Sequence, residues 1–226
     1  MKPSAILPLL AGLSLASCGS SGTIVFFGDS ITEEGDRPGG YVDLVRSGLR
    51  SSAETPPVVI GAGISGNKVS DLQSRLERDV LSQSPDVVVI YIGINDVWHY
   101  QLGIGGTPKD RYEQGLLELV AAIRASGARV ILCTPTVVGE KVPGTNALDG
   151  ELDAYAEITR GVASRAGAGL CDLRTAIQAE IRARNPRNAD KGILTRDGVH
   201  LNAAGNRFVA DQILSCLASH GSKGPN

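Results

Sequence analysis

The stretch "DVVVIYIGIND", residues 86–96, decides the fold. Val87 to Ile92 follow one another as apolar or aromatic residues, most of them β-branched. An alternating strand keeps one face wet, whereas a continuous one is covered on both faces, as in a parallel sheet. The run breaks at Gly93 and delivers Asn95 and Asp96 beyond the strand end. Four other stretches have the same form: "TIVFFG" (23–28), "PVVIGAG" (57–63), "ARVILCT" (128–134) and "AGLCDL" (168–173). Between them, apolar residues recur at helical spacing. Val69, Leu72, Leu76 and Val80 do so within 68–83, and Leu116, Leu119, Val120 and Ile123 within 109–126, which Gly127 stops. Leu152, Tyr155, Ile158 and Val162 mark another helix. Phe208, Val209, Ile213 and Leu217 mark the last, with Asn202 as its N-cap. This alternation predicts an α/β layered fold on a sheet of about five mainly parallel strands. The Gly/Pro-rich segments 99–110 and 135–150 follow the third and fourth strands, at the edge where open α/β sheets bind ligands.

The first residues belong to a different kind of segment. "MKPSAILPLLAGLSLASC" has one basic residue, Lys2, an apolar run from Ala5 to Leu15, and small residues before Cys18. The run is too short to span a bilayer and reads as a signal-peptide core over 1–17. "LASC" resembles a bacterial lipobox, which implies cleavage before Cys18, lipid on its sulfur, and a tether over 18–22. An ordinary signal peptide cut nearby would leave Cys18 incidental. Residues 23–219 are then a single domain, large enough for a full core, with 220–226 as a polar tail.

Cleavage removes one of 22 basic residues, leaving 21 against 24 acidic ones. No basic block stands out, so nucleic acid is not an expected partner. The membrane is reached only through the lipid anchor. Cys133, Cys171 and Cys216 sit in apolar segments as an odd, scattered set without metal spacing. Buried thiols are expected, with a Cys133–Cys171 bridge open if their strands are neighbours.

Chemistry-bearing residues collect in four short segments. "GDS" (28–30), "GISGN" (63–67) and "GIND" (93–96) each follow a strand, so a parallel sheet brings them to one edge. "DGVHLN" (197–202) precedes the last helix and can reach the same edge. Gly-Asp-Ser alone is ordinary turn chemistry. A serine hydroxyl becomes a nucleophile only when a base takes its proton. Of three histidines, His220 lies in the tail and His99 in a loop, as a pocket wall or a solvated side chain. His200 follows Asp197 by three residues, close enough for the carboxylate to hold one ring nitrogen while the other faces Ser30. Oxyanion donors are at hand in the Asn95 amide, the Gly66 N–H and the N–H of Ser30 itself.

These four segments, in this order, resemble the SGNH hydrolases, also called GDSL esterases/lipases. Ser30 lies within "GDSIT", Gly66 within "GISGN", Asn95 within "GIND" and His200 within "DGVHLN", with Asp197 at the family's triad carboxylate. The resemblance spans roughly residues 23–217. It implies a flavodoxin-like three-layer α/β/α sandwich, a Ser-His-Asp esterase mechanism and no cofactor. Asp29 and Asp96 are expected to brace the turns beside the catalytic residues. Glu33 and Glu34 receive no role. The two Gly/Pro-rich loops match no motif, so the acyl group and alcohol stay open. Deacetylation of carbohydrate comes first, then lysophospholipid or thioester cleavage.

Rival readings rest on narrower features. "GAGISG" (61–66) is formally a dinucleotide fingerprint, with Asp86 as the acid about 20 residues on. Asp86, however, opens the next strand instead of ending it, and the fingerprint usually follows a first strand. A two-metal phosphoesterase using Asp29, Asn95, Asp96 and His200 needs more ligands than the chain gathers. A non-catalytic carbohydrate-binding relative would have lost a catalytic position, and none is lost.

Overall fold

A computed structural model describes residues 22–221. The expected signal peptide, Cys18 and nearly all of the tether lie outside the described residues, as does most of the tail. Five strands form one parallel sheet: β1 (Thr23–Gly28), β2 (Val58–Gly63), β3 (Val87–Tyr91), β4 (Arg129–Cys133) and β5 (Gly169–Cys171). Their order is β2-β1-β3-β4-β5. β1 matches its apolar run residue for residue, and the other four are their runs trimmed by one to three residues. The centre of the sheet is dry, since every residue of β3 is buried and so are Val25, Phe26 and Phe27 of β1.

Eight helices cover the faces: α1 (Ser30–Gly35), α2 (Tyr41–Ser52), α3 (Val69–Asp79), α4 (Ile94–Gln101), α5 (Lys109–Ala125), α6 (Asp149–Ala166), α7 (Leu173–Arg184) and α8 (Ala203–Gly221). On one face α2 packs on α8, which also lies against β5; on the other α5 lies between α3 and α6, with α5 and α6 against β4. The four helices read from periodicity are α3, α5, α6 and α8, and the Asn202 side chain accepts the Gly205 N–H at 2.9 Å as the cap of α8. The other four were not expected. α4 occupies the start of the predicted 99–110 loop, and α8 carries His220 in its last turn rather than in a loose tail. No described helix is long and apolar enough to cross a membrane.

The strand order places a switch point between β1 and β3, whose helices leave toward opposite faces. In sheets of this order ligands bind in the crevice outside the strand ends at that point. Ser30 comes two residues after the end of β1, and Asn95 two residues after Gly93, so the topology aims both at one crevice.

The cysteine expectation needs correction. Cys133 and Cys171 are register partners on β4 and β5, yet they are not bonded. Cys171 pairs instead with Cys216 of α8, Cα to Cα 5.7 Å, and Cys133 remains a buried free thiol. Register partners on parallel strands lie about 4.7–4.9 Å apart with parallel Cα–Cβ vectors. A disulfide wants Cβ atoms nearer 3.8 Å and converging. A helix crossing above the strand end meets that requirement better than a neighbouring strand can.

Candidate active site

Ser30 is the first residue of α1, lifted off the end of β1 by a tight turn. Asp29 caps the helix, its Oδ1 accepting the Ile31 N–H at 2.9 Å. The serine Oγ lies 3.0 Å from His200 Nε2, and His200 Nδ1 lies 2.8 Å from Asp197 Oδ2. Asp197 also accepts the backbone N–H groups of Val199 and His200 through Oδ1, at 3.0 and 2.7 Å. Partial burial opposes its ionisation. Those two N–H bonds and the imidazole outweigh it and bring the carboxyl down to about 2. Asp197 is therefore an anion at any neutral pH, which fixes a proton on Nδ1 and leaves Nε2 as an acceptor for the serine hydroxyl.

The other two candidate residues, Gly66 and Asn95, lie past the ends of β2 and β3. Residues 64–67 form a turn closed by the Asn67 N–H on the Ile64 carbonyl at 3.2 Å. Gly66 stands at its third position with φ +79°, and Ser65 is not in the positive-φ region, which makes this a type II turn. Only glycine adopts that conformation cheaply, and space around the missing Cβ is open. Asn95, in the first turn of α4, is almost wholly buried and donates one amide hydrogen to the Asn67 carbonyl at 3.1 Å. That bond fixes the amide plane and leaves its second hydrogen for a ligand. The four sequence segments thus meet at one strand edge. The arrangement can perform acyl transfer: a hydroxyl beside a base, a base held by a carboxylate, and donors on a separate turn.

Asp29 and Asp96 sit beneath this surface. Burial pushes the Asp29 carboxyl up to about 7, with the Asp96 charge adding to the effect and the Ile31 N–H opposing it. Asp96 is fully buried, and burial raises its carboxyl to about 6. Its Oδ1 accepts the Val69 N–H at 3.1 Å, tying the first turn of α4 to the start of α3. Asp29 thus caps α1, and Asp96 links α4 to α3. His99 lies in the last turn of α4, its imidazole pushed down by burial and by the Lys68 charge, with no bond to the serine site.

The "GAGISG" glycines have a packing purpose. A Cβ on Gly63 would collide with the backbone of Thr32 and Glu33, and one on Gly61 with the Asp36 side chain. Gly61 and Gly63 thus let α1 press against β2. Asp86 lies at the opposite edge of the sheet, accepting the Thr23 N–H at 2.6 Å.

Two buried charged residues that escaped the sequence reading hold the loops. Arg75 of α3 donates to the Gly28 carbonyl at 2.7 Å, the Ala62 carbonyl at 2.9 Å and Asn67 Oδ1 at 2.7 Å, with its guanidinium over the Phe27 ring. It joins the ends of β1 and β2 to the turn that bears Gly66. Glu140, inside the predicted 135–150 loop, is wholly buried, and its carboxylate accepts the N–H groups of Ile193, Leu194 and Thr195, each at 2.6 Å. Those three residues begin the loop that carries Asp197 and His200.

The model of the GDSL-like lipase/acylhydrolase family matches residues 26–208. The chain belongs to that family. It is 33% identical over 214 residues to an acetylxylan esterase of Geobacillus stearothermophilus, covering 87% of this chain and 94% of that protein. It is 26% identical over 219 residues to a GDSL esterase/lipase of Arabidopsis thaliana, covering 88% and 86%. Among solved structures, the acetyl xylan esterase AlAXEase superposes with a TM-score of 0.84 at 45% identity, covering 86% of this chain and 99% of that one. The protein is an SGNH ester hydrolase, and its sheet and helix layers match those of its structural neighbours.

Proposed function

We propose that this hydrolase removes acetyl groups from carbohydrate, with Ser30 as nucleophile, His200 as general base and Asp197 as its orienting anion. The observation that carries the mechanism is the continuous contact from Ser30 Oγ to His200 Nε2 and from His200 Nδ1 to Asp197. His200 takes the serine proton as Oγ attacks the acetyl carbonyl carbon. The resulting oxyanion is met by the N–H groups of Ser30 and Gly66 and the free hydrogen of the Asn95 amide. As the C–O bond to the sugar breaks, His200 returns the proton to the departing alkoxide. Water then attacks the acetyl-serine, giving its proton to His200, and acetate leaves as Oγ recovers a proton. No step calls for a cofactor. The substrate class rests on relatives named as acetylxylan esterases, both covered over most of their length.

The same proposal places the protein outside the cytoplasm as a lipoprotein anchored through Cys18. The Cys171–Cys216 disulfide supports export, because such bonds persist in oxidising compartments. Conversion of Cys18 to alanine should move the protein from the membrane to the soluble fraction, and retention there would refute the anchor.

A fluorophosphonate probe should modify Ser30 alone, and an adduct on any other residue would overturn the nucleophile. Nitrophenyl esters of rising chain length, run beside acetylated xylan, test the acyl group. Acetate should be preferred, and faster hydrolysis of long-chain esters would refute deacetylation in favour of a lipid or thioester substrate.

A further inference from the structure

We propose that Glu33 and Glu34 are positioning residues, one for each of the two loops that must be held against Ser30: Glu33 for the turn bearing Gly66, Glu34 for the loop bearing Asp197 and His200. This rests on the acyl-transfer reading above. Both glutamates follow the serine on α1, at three and four residues, so they leave its helix near the same level but about 100° apart. Each meets a different loop.

Glu33 Oε2 accepts the Ser65 N–H at 2.6 Å and the Ser65 hydroxyl at 2.5 Å. Ser65 is the second residue of the type II turn, and Gly66 the third. Type I and type II turns differ mainly by rotation of the peptide between those two residues. That peptide supplies the Gly66 N–H. A turn free to interconvert would present its donor to the oxyanion in one form and its Ser65 carbonyl in the other. A carboxylate gripping both the amide and the side chain of Ser65 anchors the corner about which the peptide would turn. The same two bonds bring the Glu33 carboxyl below its ordinary range, so the grip is a charged one at neutral pH.

Glu34 meets the Arg196 guanidinium with both oxygens, each at 2.7 Å, in the fork geometry that fixes direction as well as distance. Arg196 is the residue before Asp197, and its Nε stands 3.8 Å from Asp197 Oδ2. Its backbone N–H donates to the His200 carbonyl at 2.9 Å, closing the loop on itself. Glu34 therefore acts through Arg196 on the imidazole that faces Ser30. One short helix carries the serine and a separate strut to each of its partners.

The Arg196 side chain is half exposed. Exposed pairs contribute little to folding. A positioning role thus predicts a rate effect out of proportion to any loss of stability. The test measures kcat, KM and melting temperature with 4-nitrophenyl acetate for Glu33→Ala, Glu33→Gln, Glu34→Ala, Arg196→Ala and the Glu34→Ala/Arg196→Ala pair, with Ser30→Ala as control.

Glu33→Ala should lower kcat at least tenfold, up to the roughly 10²–10³ expected for loss of an oxyanion donor outright. KM should stay within about twofold and the melting temperature within about 4 °C. Glu33→Gln keeps an acceptor oxygen for Ser65 and should recover most of the rate. Glu34→Ala and Arg196→Ala should each lower kcat, and the double variant should be no slower than either single one. Ser30→Ala inactive with Glu33→Ala and Glu34→Ala at full kcat would overturn the proposal while leaving the esterase reading intact. So would rate losses that only track falling melting temperature, or additive losses in the double variant. Activity retained in Ser30→Ala would overturn the reading itself and this proposal with it.

Discussion

Replacing Glu140 by alanine tests whether one buried carboxylate holds the loop that carries His200. The side chain has no exposed surface, and its two oxygens satisfy three backbone N–H groups. Removing it strands those donors in the interior, at about 1–3 kcal/mol each. Water entering the vacated space would re-satisfy part of that loss, which leaves about 3–5 kcal/mol. For a domain of this size each kcal/mol shifts the melting temperature by roughly 2–4 °C, so Glu140→Ala should melt about 6–20 °C lower. Glu140→Gln keeps one oxygen for two of the donors but turns an NH2 group toward the third, and should fall between parent and alanine variant. Urea unfolding followed by circular dichroism gives the energies. Initial rates taken well below the lowered melting point separate unfolding from misplacement of His200, and kcat should still be reduced there. A Glu140→Ala protein that melts within about 2 °C of the parent and hydrolyses at the parental rate would show that the loop stands without this carboxylate.

Three further outcomes follow from the geometry. Asn95→Ala should reduce kcat by about 10²–10³ with an unchanged circular dichroism spectrum, as loss of one oxyanion donor does, and an unaltered kcat would remove Asn95 from the reaction. Asp29 carries a carboxyl raised from 3.8 to about 7 by burial, so between those pH values the folded state keeps a proton the unfolded chain has lost. Stability must therefore fall as pH rises through that window, and Asp29→Asn, which keeps an oxygen for the Ile31 N–H, should flatten the slope; parallel curves for the two proteins would refute this. Reducing the Cys171–Cys216 bond, which closes a loop with a sequence separation of 45, should cost about 4 kcal/mol in denaturant titrations yet spare the initial rate, since neither cysteine belongs to the site. A large rate loss on reduction of the folded enzyme would contradict that separation.

The strands were legible because burial on both faces leaves unbroken runs such as Val87–Ile92, a pattern that requires no knowledge of partners. Ser30, Gly66, Asn95, Asp197 and His200 were legible because parallel topology forces strand ends together whatever their distance in sequence. The missed helices have local reasons. In α4 the buried residues Ile94, Asn95, Asp96 and Val97 are consecutive, which hides any helical stripe. α1 is six residues long, too short to show one. In α7 the residues Leu173, Ile177 and Ile181 do recur at four-residue spacing, but the apolar run of β5 overlaps its start and absorbs Leu173. Arg75 and Glu140 were illegible for a deeper reason. Composition assigns such side chains to solvent, and what buries them is a set of backbone groups dozens of residues away. Glu33 and Glu34 likewise show their use only when Ser65 and Arg196 are in place. The two Cys partners could not be chosen from spacing, because the decisive approach is that of a helix crossing above β5.

The direction of β1 has a consequence for where the enzyme works. The chain enters the sheet at its amino edge, where the Gly22 carbonyl accepts the Val58 N–H and Asp86 accepts that of Thr23. Ser30 lies beyond the other end, six strand residues away, about 20 Å across the molecule. Under the proposed lipid anchor, residues 19–22 reach at most about 14 Å. So short a leash would hold the amino edge toward the bilayer and turn the crevice outward. A polymer too large to approach the membrane could then be worked from its free side, whereas an ester lying in the lipid surface would be behind the enzyme.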